Sequence, residues 1–238
     1  MVIEPLPGAN AADFFDFFDN RAFSDGSPYA PCYCNCFHLT ADEVCGGILA
    51  RADALGGGFD GMKGALRESA AELIGKGVLR GYMAYENGVV VGWCNANEQQ
   101  NYIRTGSFDP FRQGEEDYYI SPGERGKIKS TVCFEIAPDY RGRGIAKALL
   151  QRVCEDAAAE GYAFAEAYAQ EAENFSALDF TGPEAMYRKA GFEEVRRWGK
   201  TTVMRKNCRD LVIWIRDGTD TRRDAFIRAF RTMRGERR

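Results

Sequence analysis

The chain has 238 residues, of which 45% are hydrophobic and 28% charged, with a formal net charge of −4. This composition suffices for a sizeable core, and the mildly acidic balance points away from nucleic acid. No run approaches the roughly 18 apolar residues that a membrane-spanning helix needs, so no membrane segment is expected.

The opening, MVIEPLPGAN, lacks a basic stretch followed by an apolar one, so no signal peptide is expected. A reducing cytoplasm is then the expected compartment. Residues 10–20 set Phe14, Phe15, Phe17 and Phe18 among acids. Phe14, Phe17 and Phe18 share one helical face, which predicts a short amphipathic helix. Residues 24–31, with Ser, Gly and two Pro, read as a loop.

The next stretch, PCYCNCFH, puts Cys32, Cys34, Cys36 and the only histidine, His38, at every second position. In a strand all four would face one way. Zinc sites use C-x₂₋₄-C with a second pair elsewhere, and this chain has no C-x-x-C. Three alternating thiols on a straight strand do not all reach one tetrahedral ion, so no metal is expected. A redox thiol pair is a further reading. The reading adopted is a half-buried strand or loop that lines an acceptor pocket. Cys94, Cys133 and Cys154 stand in apolar periodic segments, where cysteine is usually a small buried hydrophobe.

Ala65–Lys76 reads as a helix stopped by Gly77. Gly81–Tyr85 and Val89–Asn95 flank Asn87-Gly88, a strong hairpin signal. Residues 97–129 are polar and read as a long excursion. Thr131–Ala137 is a strand ending at Pro138. Ile145–Glu160 is a helix with Ile145, Leu149, Leu150, Val153 and Ala157 on one face and Gly161 at its end. Tyr162–Tyr168 is a strand, Pro183–Ala190 a short helix stopped by Gly191, and Phe192–Val195 with Thr201–Met204 a final strand pair. Beyond these lie an apolar run, Leu211–Ile215, and a basic amphipathic helix over 222–238 with seven arginines and two acids. That helix is expected to dock on its own acidic domain. The order of elements makes a mixed α/β sheet with helices on its faces.

The strand ending at Ala137 leads to Arg141-Gly142-Arg143-Gly144-Ile145-Ala146. A glycine turn at a helix start presents unpaired N–H groups to an anion, and the helix dipole favours negative charge there. The P-loop string G-x-x-x-x-G-K-[ST] is absent. A dinucleotide fingerprint would need a third glycine where Lys147 stands, and its glycines directly at the strand end. Pro138-Asp139-Tyr140 intervenes, although Glu166 stands about where a ribose-binding acid would be. The pyrophosphate of coenzyme A is the remaining candidate.

At these residues the sequence resembles the GNAT superfamily of N-acetyltransferases. Its signature, Arg/Gln-x-x-Gly-x-Gly/Ala after a strand and a proline turn, reads here as Ile136-Ala137-Pro138-Asp139-Tyr140-Arg141-Gly142-Arg143-Gly144-Ile145-Ala146. A second element, aromatic-x-x-x-Gly-Phe, reads as Tyr187-Arg188-Lys189-Ala190-Gly191-Phe192. The likeness covers Gly81–Lys206. It implies a mixed, mostly antiparallel sheet with helices on both faces and a splayed central strand pair. It further implies a GNAT-like domain over 1–206, with its motif-bearing core at 78–206 and a helical, Cys-rich part at 1–77, followed by an extension over 207–238.

The resemblance implies acetyl transfer from acetyl-CoA to a primary amine of a small molecule or peptide, by direct attack in a ternary complex. An acyl-CoA-binding sensor without turnover is the alternative. Phe134 and Ile136 would lend backbone groups to the pantetheine arm, with the N–H of Ile136 polarising the thioester carbonyl. Arg141, Gly142, Arg143, Gly144, Ile145 and Ala146 would hold the pyrophosphate. Tyr187 would protonate the departing thiolate. Many members carry Asn seven residues before that tyrosine; here the position is Phe180. Glu135, the one acid on the central strand, lies on the face opposite Phe134 and Ile136. It is a base candidate beside a water relay, with a side chain near a solvated strand end. The acceptor is expected to be a small-molecule amine; a homodimer is compatible, and neither nucleic acid nor membrane is expected as a partner.

Overall fold

A computed structural model of the chain describes residues 1–6, 10–40, 42–103, 127–170, 180–198 and 201–208. The excursion after residue 97 is described only to Ile103 and again from Lys127, and the elements expected at 211–215 and 222–238 lie outside the described residues.

Seven strands form one sheet in the order β1-β2-β3-β4-β5-β7-β6. They are β1 (Val2–Pro5), β2 (Gly81–Glu86), β3 (Val89–Glu98), β4 (Ile128–Ile136), β5 (Phe164–Gln170), β6 (Glu193–Trp198) and β7 (Thr201–Asn207). Every neighbouring pair is antiparallel except β4 and β5, which run parallel. The expected hairpin is β2–β3, turning at Asn87 and Gly88, both at positive φ. The parallel pair needs a crossover, and α4 (Ile145–Ala159) supplies it. Its periodic face, Ile145, Leu149, Leu150, Val153 and Ala157, is buried as expected.

Helices cover both faces. On one lie α1 (Ala11–Asn20) and α3 (Gly58–Gly75); on the other lie α4 and α5 (Glu184–Lys189). In α1 the three expected phenylalanines are buried, and Phe14 packs edge-on against Trp93 at 4.9 Å. Phe15, off their stripe, is buried too, packed against Phe14 and Tyr33 with Arg67 over its ring at 4.4 Å. The helix expected from Ala65 begins earlier, at Gly58, and is preceded by a π-helical stretch, Glu43–Leu49, that runs into α2 (Ala50–Ala54). No described helix is long and apolar enough to cross a membrane.

The feature that positions the site is at the centre of the sheet. Strands β4 and β5 pair only from Ile128↔Phe164 to Thr131↔Ala167. Beyond that point β4 continues to Ile136 and β5 to Gln170 without pairing to each other. The separation starts at an irregularity: opposite β3, Asn95 faces Cys133 and Ala96 faces Thr131, which leaves Val132 as an extra residue in β4. Such a bulge bends its strand and raises the local twist, which drives β4 away from β5. The splayed central pair expected from the resemblance is therefore present.

Candidate active site

Strand alternation resumes past the bulge and sorts the side chains of β4. Phe134 joins the core under α4 and α5, whereas Cys133 faces the α1 side. Glu135 shares the side of Cys133 and lines a small pocket there.

On the α4 side stands the glycine loop. Gly142 and Gly144 take φ of 75° and 80°, and a Cβ built on either would meet nothing within 4 Å. Glycine is needed here for the backbone conformation, and the loop faces open space. Gly144 caps α4, so the first-turn amides that follow have no carbonyl within the helix to bond. Ile145 turns its side chain into the core and leaves its amide to the loop; Ala146 is partly buried against the same core. These features fit a pyrophosphate cradle.

The two loop arginines differ. Arg143 lies over the Tyr140 ring at 4.8 Å and is exposed. Arg141 turns back toward the sheet end: its Nε donates to the Ile136 carbonyl at 3.1 Å, Nη1 meets Asp25 at 2.5 Å and Nη2 lies 3.5 Å from Glu135. Its side chain is thus engaged within the protein, whereas the resemblance implies that it helps to hold the pyrophosphate.

Between the separated strands lies the segment Phe180–Pro183. The Phe134 N–H, expected to serve the pantetheine arm, donates to the Phe180 carbonyl at 2.6 Å. Alternation turns the N–H of Ile136 toward the same gap. Tyr187 is fully buried on α5, and its hydroxyl donates to the Thr181 carbonyl. Gly182 makes that approach possible, since a Cβ there would lie 3.3 Å from the Tyr187 hydroxyl and 2.8 Å from Met186. Burial raises the Tyr187 phenol well above its ordinary value, which keeps it protonated.

Glu135 is only 13% exposed, not solvated as a strand-end position would suggest. Burial pushes its carboxyl up to about 7, with Arg141 opposing and Asp25 reinforcing the rise. Its pocket is lined by Phe18, Tyr29, Phe37 and Phe180 together with Cys32, Cys34, Cys36 and Cys133. The cavity measures about 20 Å³, room for about one water.

The cysteine segment is a loop, not a strand. Cys36–His38 is a short 3₁₀ turn, and Cys34 has a positive φ of 58°. His38 is buried, stacks on Tyr102 at 4.9 Å and shares its Nδ1 proton with the Asn101 carbonyl at 2.9 Å. Asn95, fully buried on β3, ties this loop to the sheet through the Cys34 carbonyl at 3.0 Å and accepts from the Tyr102 hydroxyl at 2.9 Å. In the sequence Asn95 has no assigned role; a polar residue closing an apolar run is the only local signal there. Among the described residues no group of three or more His, Cys, Asp or Glu is arranged to hold a metal ion. Glu166 is fully buried against Arg205 at 2.6 Å and Tyr168 at 2.6 Å, so it is no exposed ribose acid.

Residues 79–194 match the family model described as Acetyltransferase (GNAT) domain. Among solved structures, the GNAT-family acetyltransferase from Streptococcus pneumoniae is 15% identical, over 87% of this chain and 98% of that one, with a TM-score of 0.46. The yncA protein of Salmonella typhimurium, solved with its cofactor acetyl-CoA, is 17% identical over 87% and 94%, with a TM-score of 0.43. A ribosomal-protein-alanine N-acetyltransferase from Brucella melitensis is 19% identical over 71% and 97%, with a TM-score of 0.41. No curated protein sequence matches significantly.

Proposed function

We propose, because residues 79–194 match the model of an acetyltransferase (GNAT) domain, that the chain transfers an acetyl group from acetyl-CoA to a primary amine of a small molecule or peptide, by direct attack in a ternary complex. The observation that carries this reading is the gap between β4 and β5, with the glycine loop at its end, Tyr187 on one side and Glu135 on the other.

Acetyl-CoA supplies an activated acetyl thioester. The amides at the start of α4 hold its pyrophosphate, with Gly142 and Gly144 letting the backbone approach. The N–H groups of Phe134 and Ile136 serve the arm, and that of Ile136 stabilises negative charge on the thioester oxygen. For Phe134 to do so, the Phe180 carbonyl must release it, which makes the Phe180–Pro183 segment the part that yields on binding.

Glu135 accepts the proton that the amine loses. A carboxyl near 7 is half ionised at neutral pH and a better base than an ordinary glutamate. Its aromatic surroundings favour a cationic amine arriving from solvent. Tyr187 gives its hydroxyl proton to the departing thiolate, exchanging the Thr181 carbonyl for the sulfur.

The test is a thiol-release assay with acetyl-CoA over a panel of amines, with product detected by mass spectrometry. Acetylated product from at least one amine is expected. Coenzyme binding without product from any amine would favour the sensor.

A further inference from the structure

Acetyl transfer leaves unused four cysteines that line the Glu135 pocket, and they fall into two pairs. Cys34 is buried and bonds inward to the Cys133 thiol, with Asn95 Nδ2 3.4 Å from its sulfur. Its left-handed backbone, at φ 58°, folds the segment back, a conformation that a non-glycine residue adopts only at a cost. The Asn95 bond to the Cys34 carbonyl holds it there. The fold-back brings the flanking residues together. The Cys36 thiol donates to the Cys32 sulfur, and the Cys34 N–H donates to the same sulfur at 3.2 Å. Cys32 and Cys36 are both partly exposed.

We infer that Cys32 and Cys36 form a peroxide-oxidisable modification site, with Cys32 as the attacking thiol and Cys36 as the resolving one. A thiol of this kind needs thiolate character, access for a small oxidant and a second thiol in reach. Two donors aimed at the Cys32 sulfur supply the first, holding its thiol below the ordinary value against burial and the Glu135 charge. Cys32 is partly exposed as a residue while its sulfur is turned into the pocket, and the cavity there, on the scale of one water, supplies the second. The Cys36 contact is the third. Cys133 and Cys94 contrast with this: the bond that the Cys133 thiol donates to Cys34, together with burial, raises the first well above its ordinary value, and burial raises the second.

The chemistry balances with hydrogen peroxide as the oxidant. The Cys32 thiolate attacks one peroxide oxygen, the O–O bond breaks and hydroxide leaves, to be protonated to water. This yields a Cys32 sulfenic acid. The Cys36 sulfur then attacks the Cys32 sulfur; the S–S bond forms, the S–O bond breaks, and the Cys36 proton leaves with the hydroxide as a second water. Two thiols are oxidised to one disulfide, and one peroxide is reduced to two waters.

The test uses the full-length protein, freed of reductant and given a small excess of hydrogen peroxide, followed by intact mass and non-reduced peptide mapping. The expected product has lost two hydrogens, carries a Cys32–Cys36 link and returns to the starting mass with dithiothreitol. Cys32 should be consumed roughly ten times faster than the exposed Cys45. In Cys36→Ser, Cys32 should instead gain one oxygen that dimedone traps. A wild type in which Cys45 reacts first, or whose oxidised form lacks that link, overturns the inference without recourse to any variant. Neither result bears on acetyl transfer, which the thiol-release assay tests separately.

Discussion

On the α4 face of the central strands, the glycine loop and the helix it starts occupy one continuous stretch, Arg141–Ala159. On the α1 face, Glu135 meets residues drawn from Phe18 to Phe180. In the proposed reaction the first face works through backbone amides, whose direction is set by local conformation. The second works through ionisable side chains, whose behaviour is set by what surrounds them. Glu135 near 7 and His38 near 4 are both displaced by burial, in opposite directions, because burial penalises a carboxylate and an imidazolium alike. A backbone device is therefore readable from a short string, whereas a tuned side chain is not.

The largest effects should come from the two groups proposed to handle protons. Tyr187→Phe is expected to lower turnover by about 10²–10⁴-fold with coenzyme affinity held. It also removes the bond to the Thr181 carbonyl, costing about 1 kcal/mol of stability. Wild-type turnover in a variant that binds acetyl-CoA would end the acid role. Glu135→Gln is expected to cost a similar factor and to erase the rise of kcat/KM with pH that the wild type should show through about 7. A pH profile unchanged by the substitution would assign the base to a water relay.

Stability against pH separates the two buried groups of the α1 face. For His38 the folded value lies below the ordinary 6.5, so its contribution is fully present above 6.5 and is lost as pH falls through about 4. The loss should reach about 3 kcal/mol, and His38→Gln should flatten it in acid denaturation curves. For Glu135 the folded value lies above the ordinary 4.5, so its contribution is present below 4.5 and lost as pH rises through about 7. Glu135→Gln should therefore gain on the wild type in alkaline urea titrations, by on the order of 1–3 kcal/mol. A variant that falls behind at high pH would show that the Arg141 contact outweighs burial and the Asp25 charge.

The backbone face should show a modest change in stability and the smallest expected effect on function. Gly144→Val puts a β-branched residue at φ 80°, costing about 1–2 kcal/mol through conformation alone, since its Cβ would meet open space. Its coenzyme affinity should nevertheless fall at least about tenfold, because the side chain blocks backbone approach. Unchanged affinity by calorimetry would remove the loop from the site.

From the residues alone came the hairpin at Asn87-Gly88, the buried stripe of α4, the glycine cap at Gly144 and the side of the sheet that Glu135 shares. Each depends on periodicity or on a backbone angle that few residues tolerate, and such constraints act over a handful of positions. The tertiary structure alone decided that Val132 bulges and parts β4 from β5, that the Arg141 guanidinium turns to Asp25 and Glu135, and that Phe180 takes the Phe134 N–H. It also turned an alternating cysteine string into a fold-back that pairs Cys32 with Cys36 and Cys34 with Cys133. These outcomes join segments up to 116 residues apart, as in the Arg141–Asp25 pair. Burial, charge and hydrogen-bond partners at such a junction are properties of the packed chain, and no local pattern carries them.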